Sequence, residues 1–415
     1  MLLQNRMPKP ENAVGQKRKL YSSAPGFSRA TAVQHHPGAA ELFAAIIRGE
    51  PPVMDHDVDA KTLDEYRSAA AYHGVGPLVT HALSAAASTD DPASALRDLL
   101  HSQTHADAAV DLIRERELIR VLDNLAARRI YPLLIKGTPL GYTHYSSPAL
   151  RPRGDTDMLI PEKHREPVKR VLKELGYGWD NAVSGKLITY QFTAEKRDRH
   201  GVEHALDIHW RLSNLQLFSE LFGYDELFEG SLPLGALGNN ARTICPIHAL
   251  ILACAHRAGH IQAPYYVGER AYYGGNRLIW LYDIHLLLTR MIGGEVEAFA
   301  NLAAEKKVTA VCLDGLLRVR EHFHTELPAG LVASLSESGG DEPSARYLEP
   351  GAFRHFIGEI RALPDWRTRA ALVKEHAFPP ADFVMRKYHV SSRAWLPALY
   401  LHRGLRGAWK LLKRP

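Results

Sequence analysis

Hydrophobic positions change their spacing twice along this chain. From Ala39 they recur at helical intervals, first in AAELFAAIIRG and then through TLDEYRSAAAYHGVGPLVTHALSAAA. A loop at SAAASTDDPAS leads into a long amphipathic segment where Leu118, Val121, Leu122 and Leu125 fall three and four apart. The opposite side of that helix is dense in Arg and Glu. The period then shortens. IYPLLIKG is a brief apolar run ending in Lys136-Gly137, the pattern of a buried strand closed by a tight turn. TPLGYTHYSSP predicts a short helix and loop. In RPRGDTDMLIP, Asp155, Asp157 and Leu159 alternate with Thr156, Met158 and Ile160 between Gly154 and Pro161, which predicts a second strand. KHREPVKRVLKELGYG puts Val168, Val171, Leu172 and Leu175 on one helical face, with Gly176 as the stop. LITYQFTAE and HALDIHWRL predict two strands joined by the polar turn KRDRHGVE. Beyond Pro246 helical spacing returns in IHALILACAHRAGH, NRLIWLYDIHLLLTRM and AFANLAAEKKVTAVCLDGLLRVREHF.

Strand, helix, strand, helix, strand, strand is the order of an α/β core, and the fold class expected is α+β with helices on either side. The expected division is a helical region at 38–128, the core at 129–235 and a helical domain at 236–415. Residues 1–37 are rich in Pro, Gly, Ser, Gln and Lys without periodicity and are expected to be a disordered basic tail. At the other end, Trp395, Leu399, Leu405, Trp409 and Leu412 lie among Arg403, Arg406, Lys410, Lys413 and Arg414. This predicts a terminal helix packed on the domain, with contact to a membrane surface or a partner as the alternative.

Charge and composition narrow the function. The 415 residues are 46% hydrophobic and 23% charged, as in an ordinary globular chain. The net charge of +5 is matched by the tail alone, where Arg6, Lys9, Lys17, Arg18, Lys19 and Arg29 face the single acid Glu11. The rest of the chain is balanced and lacks the basic footprint of a nucleic-acid binder. The three cysteines, Cys245, Cys254 and Cys312, have no CxxC spacing and are expected as core thiols in a reducing compartment. No apolar run reaches the ~18–20 residues of a membrane span, and the first residues lack a signal-peptide core, so a cytoplasmic location is expected. RVREHFH has an Arg-x5-His spacing too short to carry a ribonuclease reading.

The chemistry concentrates in carboxylates. Residues two apart on a strand share a face, so Asp155 and Asp157 converge on one spot. Adjacent carboxylates repel unless a cation sits between them, and hard oxygen ligands suit magnesium. Asp207 lies in the apolar strand ALDIHW, where an unpartnered buried acid is costly. Pairing that strand beside the first brings a third acid to the cluster, with Asp207 placed to activate an acceptor nucleophile. Lys136, Gly137 and Thr138 close a strand and open a helix, a place where backbone can approach a phosphate. Arg151 and Arg153 offer further positive charge to a triphosphate.

LLIKGTPL, RPRGDTDMLI and LDIHWRL together resemble the DNA polymerase β-type nucleotidyltransferase superfamily, and more closely a bacterial nucleotidyltransferase-like family within it. Its members show a Lys-Gly turn, Arg-x-x-Asp-x-Asp, and an acid followed by His-Trp. The resemblance implies a mixed sheet carrying the acids, Mg2+ (with Mn2+ as a substitute) and transfer of a nucleotidyl group from an NTP, with ATP the expected donor. It marks Asp155, Asp157 and Asp207 as catalytic metal ligands and Gly137 as the phosphate-loop glycine. Thr138 stands where the superfamily has a second small residue. The acceptor is expected to be a hydroxyl or phosphate on a peptide or protein, a sugar or a small molecule.

His256, Arg277 and Asp283 fall in the matching downstream helices, either lining the acceptor cleft or bonding helix to helix. Two other classes stay open from the residues: a non-catalytic nucleotide-binding scaffold or regulator on the same fold, and a nuclease or RNA-modifying protein, which the balanced charge disfavours.

Overall fold

The computed structural model describes residues 38–54, 58–85, 93–179, 185–261, 265–267, 270–272, 275–338, 342–349 and 351–413. The expected disordered tail at 1–37, most of the loop before the long helix, and Arg414 lie outside them.

Four helices open the described chain: α1 (Ala39–Ile47), α2 (Ala60–His73), α3 (Gly76–Ala85) and α4 (Ser94–Ala126). Asp59 starts α2 by accepting the Thr62 N–H at 2.7 Å. The helical pattern from Thr62 to Ala85 is broken where Gly74 turns at φ 69, so one stretch of uniform periodicity makes two helices. The central elements are β1 (Leu133–Ile135), α5 (Gly137–Thr143), β2 (Thr156–Leu159), α6 (Arg165–Glu174), β3 (Gly178–Trp179), β4 (Gln191–Arg197) and β5 (Glu203–His209). They continue through α7 (Gln216–Ser219), α8 (Tyr224–Glu229), β6 (Leu232–Pro233) and β7 (Arg242–Thr243).

After these come α9 (Pro246–Gly259), the hairpin β8 (Tyr265–Val267) and β9 (Arg270–Tyr272), then α10 (Leu278–Thr289), α11 (Glu295–Glu305), α12 (Thr309–Phe323) and α13 (Leu331–Ser338). The last helices are α14 (Ala352–Ala362), α15 (Trp366–Ala377), α16 (Ala381–Lys387) and α17 (Leu396–Lys413). The Tyr400 hydroxyl of α17 donates to the Pro379 carbonyl at 2.7 Å, while Leu401 and Leu405 are exposed. Among the described residues no helix is long and apolar enough to cross a membrane.

Seven strands form one mixed sheet in the order β3-β4-β5-β2-β1-β7-β6. β2 runs antiparallel to β1 and parallel to β5, and β7 runs parallel to β1 on its far side. The fold is thus α+β, with a mixed sheet and helical flanks.

Strand alternation divides the sheet's two faces between two cores. Leu134, Met158, Ile160, Leu206 and Ile208 pack with Leu118, Val121, Leu122 and Leu125 of α4 and Val168, Val171 and Leu172 of α6. Leu133, Ile135 and Leu159 point the other way, into a core shared with Leu250, Cys254 and Ile284 of the helices after the sheet. By register, Asp157 pairs with Ile135 on one side and Asp207 on the other. The acids therefore sit on the face roofed by α9 and α10.

Candidate active site

Asp157 and Asp207 are direct lateral neighbours, because β2 and β5 run parallel with these two residues in register. Asp155 immediately precedes β2 on the same alternation. Apolar neighbours at Met158, Leu206 and Ile208 pin the register, since a one-residue slip would drive all of them off their core. Two further strand residues fix Asp207. Across the antiparallel pair, Thr193 faces it and donates from Oγ1 to Oδ1 at 2.6 Å. Gln191 donates from Nε2 to Oδ2 at 3.1 Å.

Lys136 and His209 complete the cluster. The Lys136 ammonium donates to Asp157 Oδ1 at 2.5 Å, and His209 Nε2 lies 2.9 Å from the same oxygen. Lys136 reaches this position from an unusual backbone, φ 61 and ψ −134, a region that residues with side chains rarely adopt. The turn redirects the chain from β1 into α5 and aims the amine at the acids.

The electrostatics follow from this crowding. Burial pushes the Asp157 carboxyl up, but Lys136 and His209 pull harder, and it stays well below the usual carboxylate range. Burial and the charges of Asp155 and Asp157 push Asp207 up to about 8. Asp155 is also raised, first by the protein packed around its carboxyl and then by the charge of Asp157, although the residue as a whole is open to solvent. Burial would lower the Lys136 amine, yet the three aspartates outweigh it and keep it charged. Burial, then the nearby ammonium, lowers His209 and holds it neutral.

Two raised carboxyls beside a third that is ionised mark a place with more negative charge than one lysine offsets. Asp157, Asp207 and His209 each offer one ligand atom, all within 4.8 Å of one another. The carboxylate oxygens fit a divalent cation of the magnesium or manganese kind, while His209 Nε2 is engaged with Asp157 Oδ1. Asp155 borders this set from the solvent side.

The remaining residues singled out from the sequence divide. Arg151 is buried and forks onto Asp283, with Nε 2.9 Å from Oδ1 and Nη2 2.7 Å from Oδ2. The Tyr145 hydroxyl donates to the same Asp283 Oδ1 at 2.7 Å. Arg153 turns toward α4, with Nε 3.9 Å from Asp111 and its guanidinium over the Tyr142 ring. Gly137 lies under the Arg151 guanidinium, and Thr138 is buried. Arg277 donates to the Tyr72 carbonyl at 2.5 Å and stacks on Trp280, tying α10 to α2. His256 stands edge-on to Trp280 and lines a cavity of about 90 Å3 with Lys136, Leu140, Leu252 and Asp283. Burial, then the neighbouring His260, lowers His256 well below the ordinary histidine value.

Three residues of the cluster were not singled out from the sequence. His209 belongs to the Asp-x-His-Trp run, whose period-two spacing from Asp207 could have placed it on the same face. Thr193 and Gln191 carried no such signal, because their nearness to Asp207 depends on the β4–β5 register.

Among curated proteins no relative matches the chain. A model of the family described as uncharacterised nucleotidyltransferases matches residues 59–324, a span reaching from α2 to α12 and holding all seven strands of the large sheet. The chain belongs to this family and is an enzyme of the nucleotidyltransferase type.

Proposed function

We propose that this nucleotidyltransferase is of the DNA polymerase β type and moves an NMP group from an NTP, with ATP as the expected donor, onto a hydroxyl or phosphate acceptor. The observation that carries the reading is the in-register pair Asp157–Asp207 on neighbouring parallel strands, with Asp155 one step upstream. A bound magnesium ion would offset charge on the triphosphate and on the leaving pyrophosphate. Asp155, Asp157 and Asp207 are the residues that would hold it, with His209 bracing Asp157.

The chain's own groups supply the rest. The acceptor oxygen bonds to the α-phosphorus as the bond from that phosphorus to the bridging oxygen breaks, and pyrophosphate departs with the electron pair. Asp207, oriented by Thr193 and Gln191, takes the acceptor's proton in its ionised form, which the charge of a bound cation would favour. Lys136 is the cation nearest the acids for the phosphate oxygens. Arg151 and Arg153 act at longer range, since their hydrogen bonds go to Asp283 and Tyr142.

The test uses the full chain, magnesium and α-labelled NTPs against hydroxyl-bearing peptides, sugars and small alcohols. Label transfer and pyrophosphate release are expected to fall at least about a hundredfold in Asp155→Ala and in Asp157→Ala. Transfer at wild-type rate in both variants rejects the site.

A further inference from the structure

We propose that Lys136 is a displaceable internal cation: its ammonium holds Asp157 until a divalent metal arrives with a triphosphate, and then moves onto the polyphosphate. On this account the site takes metal weakly alone and tightly with nucleotide. The inference rests on the reading of Asp155, Asp157 and Asp207 as metal ligands.

Three observations carry it. First, the amine occupies ligand territory. It sits 2.5 Å from Asp157 Oδ1, an oxygen already shared with His209, on one of the three residues of the tight group Asp157, Asp207 and His209. A divalent cation against these carboxylates would face a like charge within a few ångströms, and at that range and burial the repulsion is strong. The metal and the ammonium therefore compete for Asp157.

Second, the lysine stands where its backbone is strained. At φ 61 and ψ −134 a glycine would be at ease, whereas a side chain is tolerated only when its surroundings hold it there. The Asp157 ion pair is one such restraint.

Third, the arm has somewhere to go. Lys136 also borders the cavity of about 90 Å3 lined by Leu140, Leu252, His256 and Trp280. A shift of its stem toward that space would carry the ammonium off Asp157. A triphosphate supplies the displaced charge with a new partner. Metal alone does not, and this is what makes the two ligands cooperative.

The experiment is Mn2+ binding by the full chain, followed by electron paramagnetic resonance, with and without α,β-methylene-ATP. Wild type is expected to bind Mn2+ weakly alone and about tenfold or more tightly with the analogue. Lys136→Met is expected to bind Mn2+ alone about tenfold more tightly than wild type, with the analogue's effect reduced to about threefold or less. Lys136→Gln, similar in length and uncharged, repeats the comparison should the Met variant fold poorly. Mn2+ binding alone that is no tighter in either variant overturns the proposal. Asp157→Asn separates the two levels. If it weakens Mn2+ binding while the Lys136 variants change nothing, only the lysine's role falls. If Mn2+ binding ignores Asp157, or never occurs with or without the analogue, the metal-site reading falls and takes the lysine's role with it.

Discussion

A methyl group added at Gly137 would come within 2.4 Å of Arg151 Nη2 and 2.7 Å of its Cζ. The glycine of the Lys-Gly turn therefore makes room for a guanidinium. Arg151 is not free to step aside, because it is buried and forked onto Asp283 of α10. The turn that aims Lys136 at Asp157 is in this way wedged against a helix 132 residues away in sequence from Arg151.

Gly137→Ala tests that wedge. The substitution either bends the turn or dislodges Arg151 from Asp283, and overpacking of this kind costs roughly 1–3 kcal/mol. Denaturant unfolding should show the loss, and nucleotidyl transfer should fall with it as Lys136 is misaimed. Wild-type stability and activity in the alanine variant would show that the contact yields without consequence.

The Arg151–Asp283 pair is expected to behave as a buried pair whose members are worse alone than together. Asp283→Asn keeps an acceptor for the Tyr145 hydroxyl but strands the Arg151 charge, at a cost of roughly 3–5 kcal/mol. Arg151→Met added to it removes the stranded charge and should recover part of that loss. A double-mutant cycle in urea measures the coupling, and additive effects would mean that the two side chains do not depend on each other.

How much of this could be read from the sequence depends on the distance over which each contact is made. Asp155 and Asp157 were legible because two-residue alternation is local, and Asp207 because an acid amid Leu206 and Ile208 is conspicuous. The core beneath α4 and α6 was equally legible in the runs around Leu122 and Val171. The fork of Arg151 onto Asp283 was not, since nothing near either residue announces the other. Read locally, Arg151 and Arg153 were simply cations near the acids; in the fold their hydrogen bonds run to helix α10 and to Tyr142 of α5. The break between α2 and α3 was missed because hydrophobic spacing continues through Gly74, and only its positive φ separates the helices.

Thr193→Val should separate chemistry from binding. The hydroxyl touches Asp207 and is placed by strand register, so its loss leaves that carboxylate poorly oriented without emptying the site. A drop in kcat of about tenfold with little change in KM for the triphosphate is expected, as for other residues that orient ligands. An unchanged kcat would remove Asp207 orientation from the account of the reaction.

Glu359 governs a pH dependence away from the acids. This residue of α14 accepts the Gln216 N–H at 2.6 Å through Oε2, while its Oε1 is buried without a hydrogen-bond partner. Burial, only partly offset by that bond, pushes the carboxyl up to about 7. The folded state then binds the proton more tightly than the unfolded chain. Stability must fall as pH rises from the ordinary glutamate range to about 7, and level off above it. The span corresponds to at most about 3 kcal/mol. Glu359→Gln keeps an acceptor for Gln216 and needs no ionisation, so it should be more stable than wild type at pH 8 and nearly equal to it at pH 4.5. Thermal melts of both proteins across that range decide the matter: a gap that is constant with pH, or that widens toward acid, would place the proton elsewhere.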